Sequence, residues 1–559
     1  MNEPGSDNFA LAITGVGMVT AVGHDAPTAH ASLRADIPMM KELRIPDRSG
    51  HPIVGAPISE IADTLLYERR LAVLAKKGAT EAVRDARSSG QDFARGRVAV
   101  LWITAPSSRP GFRCGFAEQE KQQLLKAIGF DVNARWQDLE IGSAGAIEGL
   151  RIAEQWIRDR QVDACLLVGA DSLIQLRVLR WLENMDRLKT ETYVDGLIPG
   201  EAAVGIVVEG LSATRQRSGN PKAIVAGLGL HEEPGHLLSN QPCRATGLTS
   251  AVRQAIQFAN ASLANIHQIH CDLNGESYRA REFGLLLTRL QAPADVAVNH
   301  PADCIGDVGA VAGLVLLAHA ASWHVSGTET ETDLLLVGSE TGERGAAILH
   351  REFARPGSAT LLAPKSQENA PDLGIRGALK KELLEQHYDE LQFLWSQRQS
   401  AVQSTEHFPK DLARLENRLE NHLQGLLQGG LDAAAIVREG LAADDPVATF
   451  SAAYTMLRFG HPQAARRVFQ AFSQSEGEKR DGLREALCHG PIGAIEDDLR
   501  SAFAAANSPL SAAAAEILAF HGRLTQPLPR LVQLLTDTNP EVRRSAWRTV
   551  SLLGDIELH

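Results

Sequence analysis

The sequence predicts an α/β domain followed by an all-helical one, and three observations carry that expectation. Between residues 9 and 352, apolar strand-like runs alternate with amphipathic helical stretches, the pattern of a domain whose helices cover a sheet. At residue 353 the strand signals stop, and "FARPGSATLLAPKSQENAPD" has the Pro-, Ser- and Ala-rich composition of an interdomain linker. Beyond it the chain reads as helix, with glycines recurring at helix ends, at Gly460, Gly490, Gly522 and Gly554, in steps of 30, 32 and 32 residues. The expected organisation is a domain over residues 1–352, a linker over 353–375 and a helical repeat domain over 376–559.

Strand candidates in the first domain are, in order, "FALAITGVGMV", "RVAVLWIT", "ACLLVGAD", "AAVGIVVEG", "KAIVAGLGL", "IHCDLNG" and "DLLLVGSE". Several are apolar at nearly every position, as strands are when both faces of a sheet are covered. Helices are expected over 69–88, 145–160, 248–260, 279–290 and 309–322. The β-rich stretch near 203–230 suggests that the domain has two halves. In the helical part, "LLEQHYDELQFLWSQRQSAV" and "LARLENRLENHLQGLLQGG" read as two long helices. The glycine period after them fits one helix pair per repeat, each closed by a glycine cap.

Composition excludes several classes. A chain of 559 residues is too long for one core. Its 44% hydrophobic and 22% charged residues are those of an ordinary globular protein, and a net charge of −12 argues against a nucleic-acid or anionic-membrane partner. The first residues, "MNEPGSDNFALAITGVGMVT", lack the basic and apolar regions of a signal peptide, and the longest apolar run, "AVAGLVLLAHAASW", is too short to span a bilayer. Six cysteines, at 114, 165, 243, 271, 304 and 488, show neither paired nor metal-type spacing; reduced thiols and a cytoplasmic location are expected. No phosphate-binding loop, dinucleotide fingerprint or metal motif occurs, so no cofactor and no metal are expected.

Two resemblances sharpen this reading. The last helical unit, "LPRLVQLLTDTNPEVRRSAWRTVSLLG", has the D-x-x-P-x-V-R-x-x-A arrangement of a HEAT repeat. That likeness puts Asp537 and Pro540 in a turn, Val542 and Ala546 in the core and Arg543 along the inter-repeat seam; a helical bundle without solenoid stacking is the alternative. With the two long helices ahead of it, the region resembles HEAT-repeat proteins found beside bacterial type VI secretion genes. The first domain resembles the β-ketoacyl synthase branch of the thiolase superfamily. Four stretches carry the likeness in order: "ITGVGMVTAVG" (13–23), "SAGAIEGLRIAEQWIRDRQVDACLLVGADS" (143–172), "DGLIPGEAAVGIVVEG" (195–210) and "IGDVGAVAG" (305–313). The implied fold is a duplicated βαβαβαββ unit in five layers, normally a homodimer.

The same resemblance locates where condensing chemistry belongs. A synthase needs a cysteine at a helix N-terminus, two imidazoles, a lysine and an oxyanion hole. Counting back twenty places from Asp163 puts Ser143 at the nucleophile position, where its plainer role is a helix N-cap. Serine without an adjacent base is a poor nucleophile. "LNGESY" puts Asn274 at the first histidine, with Glu276 and Tyr278 replacing small residues; Asn274 is expected to hydrogen-bond its own loop. Asp307 follows the Ile-Gly pair where the second histidine belongs, and the lysine position holds Ala302. A carboxylate about 4 Å from a developing oxyanion costs about 4 kcal/mol at an effective dielectric of about 20, cancelling what an oxyanion site supplies. "SETGERG" (339–345) brings Glu340, Glu343 and Arg344 into what is an apolar lid in the synthases. His270 and His300 lie near these loops and are expected to be structural. Removing a nucleophile or base typically costs about 10⁴- to 10⁶-fold in rate, so the expectation is a pseudoenzyme.

Three functions then compete. The first is a protein-binding scaffold, a cytoplasmic adaptor or chaperone whose partner is a type VI secretion effector or its spike-tip protein. The second is an acyl or acyl-carrier-protein binder that keeps the pocket without condensation. The third is a divergent Ser-dependent acyltransferase. Candidate contacts on the helical part are Trp395, Arg398, His422, Arg543, Arg544 and Trp547, with the alternative that the aromatics are core and the arginines solvated or seam-bridging.

Overall fold

The computed structural model describes residues 9–58, 67–91, 93, 97–110, 116–292, 296–322, 331–351, 378–404, 408–524 and 529–554. The expected linker and Cys114 lie outside the described residues. The chain divides into two compact units, with the break between Ile375 and Arg376.

The first unit is built twice over. Its first half runs β1 (Leu11–Val19), α1 (Ala26–Arg34), the hairpin β2 (Lys41–Pro46) and β3 (Pro52–Gly55), α2 (Tyr67–Ser88), β4 (Val98–Ile103), α3 (Glu118–Ile128), β5 (Arg135–Leu139), α4 (Gly145–Arg158), β6 (Ala164–Ser172), α5 (Leu176–Asn184) and β7 (Glu201–Gly210). After α6 (Leu211–Gln216) the second half runs β8 (Ala223–Glu232), α7 (Thr246–Ala259), β9 (Ile266–Cys271), α8 (Ser277–Leu290), β10 (Ala297–Asn299), the single turn α9 (Ala302–Ile305), α10 (Ala312–Ala321), β11 (Glu331–Gly338) and β12 (Glu343–Arg351). The strand order β10-β9-β11-β12-β8-β1-β7-β6-β4-β5 is the same five-strand pattern read outward from its middle. In each half the first strand lies antiparallel to the last, and the two inner crossovers are parallel.

Glycines show the duplication at close range. A Cβ on Gly15 or Gly17 of β1 would lie 2.2 Å from the Ala82 carbonyl oxygen or 2.1 Å from that of Gly78, on α2. A Cβ on Gly227 or Gly229 of β8 would lie 2.2 Å from the carbonyl oxygen of Ala255 or 1.9 Å from that of Ala251, on α7. Only glycine allows each helix that close to its strand. Helices α4 and α10 touch strands of both halves, so they form the middle of five layers. α10 is the most apolar helix of the unit, with Gly313–Ala321 wholly buried.

The second unit is all helix: α11 (Ala378–Gln403), α12 (Pro409–Gly429), α13 (Leu431–Ala442), α14 (Pro446–Arg458), α15 (Pro462–Gln474), α16 (Gly477–His489), α17 (Glu496–Ala504), α18 (Ser508–Phe520), α19 (Pro529–Leu535) and α20 (Pro540–Leu553). From α13 onward these pack as helix pairs. Three of the four second members, α14, α18 and α20, start with a punctuation that recurs: Asp445, Asn507 and Asn539 accept a backbone N–H of the first turn, and Pro stands at or next to the first helical position, whereas α16 begins at Gly477 without a side-chain cap. Trp395 of α11 stacks on Phe450 of α14 with ring centroids 3.5 Å apart and anchors the core. Of the expected glycine caps, Gly460, Gly522 and Gly554 have φ of +72°, +64° and +71°. Gly490 does not; its backbone is extended, and it is small because a Cβ there would lie 2.7 Å from Leu457 Cδ1.

Val542 and Ala546 are buried as expected, and the Asp537 carboxylate accepts Asn539 N–H in the turn. Arg543, expected along the inter-repeat seam, instead donates to the carbonyls of Asp537 and Thr538 in its own turn. Trp395 and His422 are core residues, not surface contacts. No helix among the described residues is long and apolar enough to cross a membrane.

Candidate functional site

The positions singled out in the sequence converge where the starts of the two middle helices meet the β9–α8 loop and the β11–β12 turn. Each middle helix is entered through a single 3₁₀ turn, Gly142–Ala144 before α4 and Gly309–Val311 before α10. The two turns approach closely: a Cβ on Gly313 would lie 2.3 Å from the Ser143 carbonyl oxygen.

Ser143 is not an N-cap. Its hydroxyl donates to the Gly338 carbonyl at 2.8 Å, and the capping bond at this helix start comes from another residue, Ala144 N–H donating to Ser339 Oγ at 3.0 Å. Ser339 Oγ in turn donates to the Ile141 carbonyl. Among the described residues no imidazole is hydrogen-bonded to the Ser143 hydroxyl, so its proton is directed at an amide oxygen and not at a base.

Asn274 does bond its own loop, accepting Glu276 N–H at 3.1 Å, but its amide also reaches across. Nδ2 donates to Glu276 Oε2 at 2.8 Å and to Asp307 Oδ2 at 2.6 Å. Asp307 completes its shell with Gly309 N–H at 2.7 Å. Ala302 starts α9 and supplies only a methyl group to the wall. All four positions are thus brought to one region, and the three that carry polar side chains are satisfied by protein.

What sequence reasoning missed is the set of partners. Arg187, on the segment after α5, is buried and holds Glu276 through Nε at 2.7 Å and Nη2 at 3.1 Å, while Nη1 holds Glu340 at 2.6 Å. Burial is the largest single influence and lifts the Glu276 carboxyl, but the charges of Arg187 and Arg279 and the hydrogen bonds from Arg187 and Asn274 together outweigh it and hold the group below the usual carboxylate range. Arg279 of α8 donates to Asp272 at 2.6 Å and to Gly338 O at 3.1 Å, the same carbonyl that Ser143 uses. Arg344 pairs with Glu282 at 2.8 Å, donates to the Ser339 carbonyl and to Tyr278 Oη, and Tyr278 donates to Gly235 O at 2.9 Å. "SETGERG" is therefore not a lid. Ser339–Gly342 is a tight turn, β12 begins at Glu343, and Arg344 is a buried strand residue. The one available signal was charge at places where the resemblance calls for small or apolar residues.

Among the described residues a cavity lies between Asp272, Asn274, Arg279 and Asp307 on one wall and Ile305, Val308, Val315 and Leu316 on the other. It leaves about 20 Å³ for the centre of a water-sized sphere, room for one or two waters at roughly 10–15 Å³ each and not for a chain of methylenes. Cys271 adjoins it, but burial pushes that thiol up to about 12, so it is a packed thiol and no thiolate nucleophile. His270 belongs to a separate buried network, with Nε2 3.3 Å from Asp333, itself held by Arg351, and its ring 5.7 Å from that of His319. His300 makes a half-exposed pair with Asp303 at 3.0 Å. Among the described residues no group of His, Cys, Asp and Glu could hold a metal ion.

Comparison with solved structures identifies the fold. The first unit is similar to the ishigamide ketosynthase/chain length factor, at 15% identity over 62% of this chain and 100% of that one, with a TM-score of 0.52. It is similar also to the ketosynthase solved in complex with its type II acyl-carrier protein and bound to the hexaketide, at 15% identity over 62% and 100% of the two chains and a TM-score of 0.50. The Streptomyces albus oxazolomycin ketosynthase domain matches at 14% identity over 62% and 75%, with a TM-score of 0.50. No protein-family model and no curated protein sequence matches the chain. At such identities the likeness concerns fold: a ketosynthase-like α/β unit with a mixed sheet, followed by a helical region of packed helix pairs.

Proposed function

We propose that this protein keeps a ketosynthase-like fold without its reaction and acts as a protein-binding scaffold. One observation supports the reading: where the resemblance calls for a cysteine, two histidines and a lysine the chain has Ser143, Asn274, Asp307 and Ala302, and the three polar ones are tied into hydrogen bonds with neighbouring protein groups. A serine whose proton goes to a carbonyl has no base to raise its nucleophilicity. The acyl-binding reading is weakened by the same packing, because guanidinium–carboxylate pairs fill the site and the cavity left beside them is water-sized.

The helical unit supports the scaffold reading from the other side, since stacked helix pairs present extended surfaces to partners. Their resemblance to HEAT-repeat proteins beside type VI secretion genes makes the partner of this proposal a secreted effector or the spike-tip protein that carries it, with the chain as cytoplasmic adaptor. A second copy is a further candidate partner, through the outer edge of β5, which pairs with no other strand among the described residues.

Purified protein incubated with malonyl and acyl thioesters of coenzyme A and of acyl-carrier protein should give neither decarboxylation nor condensation above buffer, and a fluorophosphonate should leave Ser143 unlabelled. Turnover that disappears in Ser143→Ala would replace this reading with the acyltransferase one. An acyl chain found in the native protein by mass spectrometry would favour the binder. Pull-down of the native protein, with its companions identified, tests the secretion context.

A further inference from the structure

The second members of the last three helix pairs are linked by one recurring position. Arg484 of α16, Glu516 of α18 and Arg548 of α20 stand at successive steps of 32 residues. Arg484 Nη1 lies 3.1 Å from Glu516 Oε2, and both side chains are about nine-tenths buried. Glu516 also accepts from Ser545 Oγ at 2.7 Å and lies 3.9 Å from Arg548 Nη1. The seam between neighbouring helices is thus stitched by charges of alternating sign.

On α18 the face turned to α20 carries Ala512 and Glu516: Ser545 Oγ donates to the Ala512 carbonyl, and Ala512 packs against Val542 and Ala546. The same positions one repeat later are Arg544 and Arg548 on α20, with Trp547 between them where α18 has Ala515. These three are exposed, Trp547 by 57%, while the opposite side of α20 is buried against the rest of the stack. Tryptophan and arginine together are the residues that dominate binding energy at interfaces. The rung order Arg–Glu–Arg calls next for a carboxylate. A second copy meeting this face with its own would set four arginines together, so self-association there is opposed by charge. Glu541, at the start of the same face, is its one acidic residue.

Resting on the scaffold reading above, we infer that the outer face of α20 docks an acidic amphipathic helix of a partner protein, which stacks on α20 as α20 stacks on α18 and places a carboxylate between Arg544 and Arg548. Trp547 supplies the apolar anchor and the two arginines set register and sign.

The test uses the full chain and a stapled amphipathic helix with glutamates on one face, alongside its glutamine twin, followed by fluorescence anisotropy. The glutamate peptide should bind about tenfold tighter than the glutamine one, and more weakly as salt rises. Arg544→Glu with Arg548→Glu should abolish that preference, and Trp547→Ala should weaken both peptides. These side chains are exposed, so the variants should keep the wild-type melting curve. Equal binding of both peptides, no binding, or binding untouched by charge reversal would overturn the inference. A photo-crosslinking residue at position 547 in cells should join to an acidic segment of another protein, the product disappearing with the charge-reversed variant; a crosslink between two copies would also overturn it. Failure of these arms would leave partner capture by the native chain intact, whereas acyl turnover would remove the scaffold reading without moving the peptide result.

Discussion

Replacing Arg187 with methionine is the sharpest test of the charged network that occupies the synthase-like site. The side chain keeps similar length and loses the guanidinium that holds Glu276 with two bonds and Glu340 with one. Arg187 and Glu276 each expose only 6% of their side chains, while Glu340 exposes 24%. Stripping one partner from a buried pair leaves an uncompensated charge and typically costs about 3–5 kcal/mol, and Asn274 Nδ2 at 2.8 Å is a neutral donor that offsets only part. Unfolding entropy of about 2.1 cal/mol/K per residue over the 375-residue unit converts that loss to a fall in Tm of about 4–6 °C. The pH dependence gives a second signature. In the wild type, burial lifts the Glu276 carboxyl but Arg187, with Arg279 and Asn274, more than reverses it, so the group contributes stability that is present above its ordinary pKa of about 4.5 and is lost as pH falls through its lower native value. In the variant the same carboxyl is buried without its cation and takes up a proton more readily, so the penalty is largest near neutrality and shrinks below about pH 5. Differential scanning calorimetry at pH 7.5, 6 and 4.5 reads both effects. The double variant Arg187→Met/Glu276→Leu should recover most of the loss, because no charge is then left buried at that position. A Tm change under about 1 °C, a gap that does not narrow with acid, or a double variant no better than the single one would refute the electrostatic account and leave Arg187 as packing.

Three further outcomes follow from the same geometry. Glu516→Ala removes the most buried of Arg484's carboxylate partners, leaving Glu485 at 3.0 Å and Asp481 at 3.6 Å, and should destabilise the helical unit by about 1.5–3 kcal/mol, whereas Arg548→Ala, half-exposed and 3.9 Å from Glu516, should change it by less than about 1 kcal/mol; chemical-denaturation midpoints separate the two. His387 of α11 and His422 of α12 meet edge to face with centroids 5.4 Å apart, and burial, together with the neighbouring ring for His387 and Arg418 for His422, lowers them from 6.5 to about 3 and about 4. Since both are depressed on folding, the chain takes up protons on unfolding below pH 6.5, so stability falls from there towards pH 4, and the slope should be reduced in His387→Leu when urea midpoints are compared across that range. Gly313→Ala, with its Cβ 2.3 Å from the Ser143 carbonyl, should force α10 away from α4 and lower stability by about 1–3 kcal/mol, detectable as a lower Tm with an unchanged far-UV spectrum at 20 °C.

The legibility of this fold in its sequence followed burial. β4, β6 and β7 read cleanly because both their faces are covered and nearly every position is apolar or small, Asp171, Glu201 and Glu209 being the exceptions. The edges β5 and β10 did not: "RWQDL" mixes charge with aromatics, and "AVN" is three residues long. β12 was hidden because Glu343 and Arg344 look like surface, whereas Arg344 is a buried strand residue satisfied by Glu282, a partner 62 positions away. The site divides the same way. Ser143, Asn274, Ala302 and Asp307 were singled out by counting from the motifs of the synthase resemblance, but Arg187 meets Glu276 across 89 residues, and no local pattern announces such a pair. In the helical unit the period was visible and its chemistry was not. Glycines mark helix ends, yet the 32-residue recurrence that stitches the seam runs through Arg484, Glu516 and Arg548, not Arg543.

The charged network bears on function through what it would cost to use the site. Catalysis needs donors and acceptors free to meet a reacting oxygen, held in place beforehand. Here the Gly338 carbonyl already receives Ser143 and Arg279, the Asn274 amide already spans Glu276 and Asp307, and the Arg187 guanidinium is divided between two carboxylates. A thioester entering this region would first have to separate buried ion pairs, at about 3–5 kcal/mol for each charge left alone, before any bond was made. The same bonds act on the exterior. Arg187 joins the segment before β7 to the β9–α8 loop and to the β11–β12 turn, and Tyr278 ties α8 to the Gly235 loop. Loops that enclose substrate in an enzyme must open, and these are cross-linked by groups that cannot part without stranding charge. The scaffold proposal therefore expects these loops to stay closed in solution, and turnover of an acyl thioester by the purified protein would overturn it.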